Sequence, residues 1–245
     1  MKFLVRLLTV VFLLVGGIAL IHLSIDNREL GGQIDQLEAE LGRMPIDNSD
    51  RVHLVEIETP EVPTEVASHV ERVWQFRCYL PPGYDVIRFS GGGRVTKEGV
   101  YHAGGSSSGW GSARPEAIHQ LLTVSFQKKD NRLVVFHTFG GSSGTTSWGD
   151  FDADRIDDTL VVQKIVSSGH GPRSFGQDTI LPMLKIYDPS SAEDKEVAGE
   201  IITTYAGGMF MLCPKSRESS LNQLRRGETP VGFDPSWIAT EAHDE

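Results

Sequence analysis

The sequence predicts a mainly β protein: an antiparallel sandwich or barrel-like body carried on an N-terminal transmembrane helix with a short helical stalk. Three observations predict it. An apolar run opens the chain, heptad-spaced apolar residues follow, and beyond residue 50 the hydrophobic period drops to two while Gly and Pro punctuate short segments. Many short strands with Gly- and Pro-rich turns belong to a sandwich or barrel.

The first element, residues 1–23, reads as a transmembrane signal anchor. From Leu7 to Leu23 there is no Asp, Glu, Lys or Arg, and Lys2 and Arg6 precede the run. A helix from Phe3 to Leu23 reaches roughly 30 Å, the thickness of a bilayer's hydrocarbon core. Basic residues stay on the cytoplasmic side, so Lys2 and Arg6 predict a single-pass protein of the cell membrane with its C-terminal body outside the cytoplasm. A cleaved signal peptide is the rival reading, with Gly17 and Ala19 as a small-x-small site. The apolar residues Leu20, Ile21 and Leu23 beyond that site suit a retained anchor better. Either way the body is exported.

Residues 24–44 follow as a helical stalk. Leu30, Ile34, Leu37, Leu41 and Met44 are spaced four and three apart in alternation. With Ile34 at a, Leu30 and Leu37 fall at d, Leu41 at a and Asn27 at a. A lone Asn at a, with Ile at another a and Leu at d, favours a parallel two-stranded coil and hence a homodimer. Against the coil, Gly31, Gly32 and Gly42 each cost a helix about 1 kcal/mol relative to Ala, so the stalk reads equally as a plain extension of the anchor. Pro45 ends it.

Residues 45–64 are a linker with a first strand, residues 65–214 a β domain, and residues 215–245 a polar, loose C-terminal tail whose Phe233 and Trp237 can dock on the body. Within the β domain, Val73 to Leu80 alternates, with Trp74, Phe76, Cys78 and Leu80 on one face. Strands are predicted at Tyr84 to Ser90 and Arg94 to Ala103, the latter a hairpin turning at Lys97, Glu98 and Gly99. His119 to Gln127 and Arg132 to Phe139 make the clearest hairpin. Further strands are expected at Thr159 to Val166, Ile180 to Tyr187, Glu200 to Tyr205 and Met209 to Cys213. Short helices are expected at Pro189 to Glu196, capped by Ser190 or Ser191, and at Ser112 to His119.

Charge narrows the partners. The chain holds 23 basic and 33 acidic residues, and an acidic body repels phosphate backbones, so nucleic acid is not expected. The expected partners are the lipid bilayer through the N-terminal helix, a second copy of the chain, and an envelope glycan or protein. Cys78 and Cys213 both sit in strand-like, apolar surroundings; a disulfide and two buried free thiols are both open.

One internal similarity stands out. Val100-Tyr101-His102-Ala103-Gly104-Gly105-Ser106-Ser107 echoes Val135-Phe136-His137-Thr138-Phe139-Gly140-Gly141-Ser142-Ser143, and each block is followed by a Trp-Gly pair, Trp110-Gly111 and Trp148-Gly149. Two strands feeding similar Gly/Ser loops at one end of a sheet would bring the loops together. Trp110 and Trp148 are then the candidate ligand-binding residues, since an aromatic face among small polar residues suits stacking on a sugar ring or a partner surface. The bland alternative is that each Trp plugs the end of the sheet.

Other patterns are weaker. Both blocks match G-x-S-x-G through Ser107 and Ser142, with His102, His137 or His170 and Asp152 or Asp178 to complete a triad on paper. Neither serine is followed by the helix that a nucleophile elbow needs. Asp150, Asp152 and Asp154 stand at alternate positions and are the candidate metal ligands, for calcium. Arg155 and Val161 break the longer calcium-loop pattern, and an acidic, solvated turn is the alternative. Gly91-Gly92-Gly93 lacks the G-K-[ST] of a phosphate loop.

The block Trp74-Gln75-Phe76-Arg77-Cys78-Tyr79-Leu80-Pro81-Pro82-Gly83 resembles an aromatic-Arg-x-Tyr-Leu-Pro-x-Gly segment of uncharacterised, signal-anchored bacterial envelope proteins. The resemblance implies an exported envelope protein and assigns no site. The expected function is a non-catalytic interaction or structural role in the cell envelope. A glycan-binding module through the Trp-bearing loops is the alternative, and a serine hydrolase acting on envelope polymer ranks behind it.

Overall fold

The structure is a computed structural model that describes residues 44–58, 72–129, 132–148, 159–168 and 171–240, together with 16, 17, 30 and 70. The anchor and almost all of the stalk lie outside the described residues. Among the described residues, no helix is long and apolar enough to cross a membrane.

The body is mainly β, built from two antiparallel sheets and one short helix. Period-two stretches supply the strands: β1 (Val52–Ile57), β2 (Arg72–Leu80), β3 (Val86–Val95), β4 (His102–Gly111), β5 (Ile118–Lys129), β6 (Arg132–Phe139), β7 (Ser142–Trp148), β8 (Val161–Lys164), β9 (Arg173–Phe175), β10 (Leu181–Tyr187), β11 (Glu193–Val197) and β12 (Glu200–Pro214). The first sheet runs β7-β6-β5-β2-β1-β9 and the second β4-β3-β12-β10-β8, with β11 added on β12. Leu54, Phe76, Leu122 and Val135 of the first sheet meet Leu184, Phe210 and Leu212 of the second in one core. At the rim opposite β4, Lys164 of β8 reaches across to Glu56 of β1 at 2.6 Å.

A second cluster lies on the other face of the second sheet. Ile87, Phe89, Met209, Met211 and Cys213 are covered there by α1 (Glu218–Arg225) through Leu221 and Leu224. The tail as far as residue 240 is therefore not loose. Ile180 donates its N–H to the Trp237 carbonyl at 2.7 Å, and the Arg217 guanidinium stacks 3.7 Å from the Trp237 ring centroid.

Several expectations are corrected. Ser112 to His119 forms no helix, because its backbone is tied instead to the start of β3: Gly83 donates to the Arg114 carbonyl at 2.8 Å and Ala113 to the Asp85 carboxylate. At Pro189 to Glu196 only a 3-10 turn (Pro189–Ser191) forms, capped by Asp188 rather than by either serine, and the chain then continues as β11. The two strands expected at Tyr84 to Ser90 and Arg94 to Ala103 are divided differently, since Gly91, Gly92 and Gly93 run straight on inside β3. Likewise Glu200 to Tyr205 and Met209 to Cys213 join into β12. The Gly/Ser blocks are strands too, β4 and β7, at the edges of the two sheets.

Glycine lets these backbones approach. Gly92 and Gly208 pair across β3 and β12. A Cβ on Gly92 would come within 2.5 Å of Trp148 Cβ and Cγ, and one on Gly208 within 2.7 Å of three indole carbons. The glycines thus form a flat bed on the second sheet that receives the indole from the first. Cys78 and Cys213 belong to different clusters, on opposite faces of the second sheet, and both are free, buried thiols.

Candidate functional site

Strand order brings the two similar blocks to one side of the sandwich, as edge strands of facing sheets. The Ser107 and Thr146 hydroxyls meet there at 2.7 Å, joining β4 to β7. The tryptophans part company. Trp148 is 0% exposed, edge-on to Phe126 at 5.1 Å and seated on its glycine bed, so it is a core residue and offers no face to a ligand. This corrects its assignment as a binding residue: alternation along β7 points it inward. Trp110, near the end of β4, is 58% exposed. Asp150, Asp152 and Asp154 lie outside the described residues.

Trp110 stands on the rim of a cleft of about 370 Å³, of the size of ordinary small-molecule sites. The cleft sits at one end of the sandwich, between the start of β3 and end of β4 on one side and the end of β2, the start of β5 and the end of β6 on the other. Arg88, Arg114, Gln120 and Ser142 supply its polar lining, and Leu80, Val86, Ile118 and Phe139 its apolar floor. Arg88 is held firmly: its Nη1 donates to the Phe139 carbonyl at 3.1 Å and to the Ser142 hydroxyl. Burial lowers the pKa of this guanidinium from its ordinary value. The Lys215 ammonium lies 5.6 Å from the Trp110 ring centroid.

Around Arg88, polar atoms are left unsatisfied. Tyr84 Oη, Arg88 Nε, Ser90 Oγ and His137 Nδ1 are buried and have no hydrogen-bond partner among the described residues. Each such group costs about 1–3 kcal/mol. Burial also raises the Tyr84 hydroxyl well above the ordinary phenol range, with Cys213, Cys78 and Asp178 adding to it. His137 is pushed down by burial and then by the Arg88 charge, and its ring lies 5.1 Å from that of Phe210.

The two serines of the paper triads are engaged elsewhere. Ser142 Oγ donates to the Phe139 carbonyl at 2.9 Å, Ser107 Oγ meets Thr146, and the His102 ring contacts the Gly92 carbonyl oxygen at 3.3 Å. Among the described residues no hydrogen bond joins either serine to a histidine, the arrangement a general base would need; His170 lies outside them.

Sequence reasoning found Trp110 and missed Arg88, Arg114 and Gln120. The signal for Arg88 was present: a charge stands at an inward position of β3 beside Val86, Ile87 and Phe89, where a buried cation needs partners. Nothing local marks Arg114 or Gln120. No family model, curated protein or solved structure matches the chain.

Proposed function

We propose that the protein is a single-pass, membrane-anchored binding module whose body lies outside the cytoplasm and plays a non-catalytic part in the cell envelope. Its contact point is the cleft under Trp110. The observation that carries this reading is that Trp110, 58% exposed, borders a polar-lined cleft at the end of the sandwich, whereas Trp148 on the facing sheet is fully buried. The uncharged run Leu7 to Leu23 behind Lys2 and Arg6 supports the placement. Glycan binding is the second reading, favoured by the exposure of the Trp110 indole.

The test is retention on insoluble envelope polymer. Full-length protein in nanodiscs is expected to sediment with purified cell-wall material, and the W110A variant to stay in the supernatant with an unchanged circular dichroism spectrum. Equal sedimentation of the two proteins would refute the assignment to this cleft. A C-terminal reporter active only outside the cytoplasm tests the placement, and its silence would refute it.

A further inference from the structure

An open sheet edge is a template for another strand, and this body guards its edges unequally. β8 and β9 are short, with four and three residues. β11 carries Glu193, Asp194, Lys195 and Glu196, and charges of that kind keep a further strand away. β4 has no such guard. It is ten residues long, contains no Asp, Glu, Lys or Arg, and among the described residues pairs with β3 alone. Gly104 to Ser108 are exposed in succession. Gly104 has a φ of 150°, so the regular extended stretch is Gly105 to Gly111, where alternate N–H and C=O groups turn away from β3. The facing edge, β7, is also uncharged but shorter, with seven residues.

Beside β4 stands a cation without a counter-charge. Pairing with β3 puts Ser106, Ser108 and Trp110 on the outer face of the second sheet, with Ile87 and Phe89. The last residue of α1, Arg225, lies on that face. Its guanidinium carbon is 3.7 Å from the Phe89 ring centroid, and its Nη2 donates to the Ser106 hydroxyl at 3.3 Å. Its Nε is buried without a hydrogen-bond partner, and among the described residues it forms no ion pair. Burial and then the Arg226 charge hold its pKa below the ordinary value, while Arg226 takes Glu228 for itself. A partly buried guanidinium with no anion is a standing cost that an incoming carboxylate removes.

We propose that the β4 edge accepts an extended peptide as an added antiparallel strand, with an acidic side chain opposite Ser106 bound to Arg225 and an apolar side chain opposite Trp110. Backbone bonds along Gly105 to Gly111 supply affinity, and alternate side chains choose the peptide. Directly opposite side chains on neighbouring strands start roughly 5 Å apart, within reach of a carboxylate for the guanidinium. The other row of the added strand lies toward the Ser107 and Thr146 hydroxyls, which suits small polar residues. A second copy of the chain fits less well. Two β4 strands paired about a twofold axis would set both copies' Arg225 on one face of the joined sheet, where like charges repel. Arg225 and Ser106 do not line the cleft at the end of the sandwich, so edge and cleft are separable.

The experiment titrates full-length protein with a capped peptide, Thr-Ile-Thr-Ser-Thr-Glu-Thr, which sets its Ile against Trp110 and its Glu against Ser106. Exchanging that Glu for Lys is expected to weaken binding at least about tenfold, and the parent peptide's affinity to fall as salt rises. Two further peptides are N-methylated on alternate nitrogens, one on each edge. The one methylated on the edge turned to β4 is expected to lose binding and the other to keep it, because an added strand uses every second N–H. R225Q is expected to abolish the preference for Glu over Lys while leaving retention on cell-wall material unchanged. Arg225 also packs on Phe89, so the Lys peptide and the salt series test the charge even where R225Q fails to fold. Equal affinity of the two methylated peptides would overturn strand addition, and equal affinity of the Glu and Lys peptides would overturn the acidic partner. Self-association of the protein with no peptide bound would overturn the proposal in favour of a second copy. Neither peptide binding nor self-association would remove the proposal outright and leave the cleft to its own test.

Discussion

The glycine bed under Trp148 makes a prediction with a sign. Gly208→Ala adds one methyl group, yet its Cβ would lie within 2.7 Å of three indole carbons, where ordinary contact begins at 3.4 Å. The indole cannot retreat along its own axis, because Gly92 lies as close to Trp148 Cβ and Cγ, and Phe126 stands edge-on at 5.1 Å. Overpacking of this kind costs about 1–3 kcal/mol. Trp148→Leu alone opens a cavity in place of the ring and costs about 2–4 kcal/mol, somewhat less than a full truncation to Ala. In the Trp148→Leu background the clash partner is gone and the alanine methyl fills part of the space. The double variant is therefore expected to be more stable than the sum of the single losses by about 1–3 kcal/mol. Urea unfolding of the full-length protein, followed by circular dichroism, gives the three free energies. A Gly208→Ala variant as stable as the parent, or losses that simply add, would refute the packing account.

Acid should destabilise the body. Burial first, then the Arg225 charge, holds His102 down to about 4, against a partial offset from the Gly92 carbonyl, and His137 is lowered too. A depressed folded-state value means that the stability is complete above the unfolded value near 6.5 and is lost as pH falls toward 4, because the unfolded chain takes up protons first. His102 alone accounts for roughly 3 kcal/mol. Melting temperatures between pH 7 and 4 should fall and H102Q should flatten the fall; an unchanged slope would sink the claim. Glu56→Gln, which leaves Lys164 without its buried charge partner across the sheets, should cost about 1–3 kcal/mol in the same unfolding assay, with part of it recovered in a Glu56→Gln/Lys164→Met pair. Burial pushes the Cys213 thiol up to about 12 and Cys78 higher still. Neither should react with a thiol reagent at pH 8 until denaturant is added; fast labelling of the native protein, or a disulfide after non-reducing digestion, would contradict the free, buried thiols.

Much of the strand content was legible because local patterning decides it. Arg132 to Phe139 matches its strand end to end, and Val73 to Leu80 differs from β2 by one residue, since apolar alternation there agrees with the burial of one face. The Gly/Ser blocks were misread as loops because glycine's local preference opposes a strand. Across the sandwich, glycines inside other strands, Gly92 of β3 and Gly208 of β12, are the condition for seating Trp148, a partner far away in sequence. Local propensity loses there to close packing. The candidate site was half legible for a related reason. Trp110 is conspicuous among small residues, whereas Arg88, Arg114 and Gln120 lie on separate elements and share a cleft only once β3, β4 and β5 have found their neighbours.

By itself, the sequence determined the acidic balance, the apolar opening run, the mainly β character and the near-repetition of the two Gly/Ser blocks. Those properties reside in composition and short-range period, which no long-range contact alters. Only the tertiary structure decided which tryptophan faces solvent, which glycines carry an indole and which arginines line one cleft. Inward and outward facing along an edge strand depends on a register shared with strands distant in the chain, and a shift of one residue would exchange the two faces.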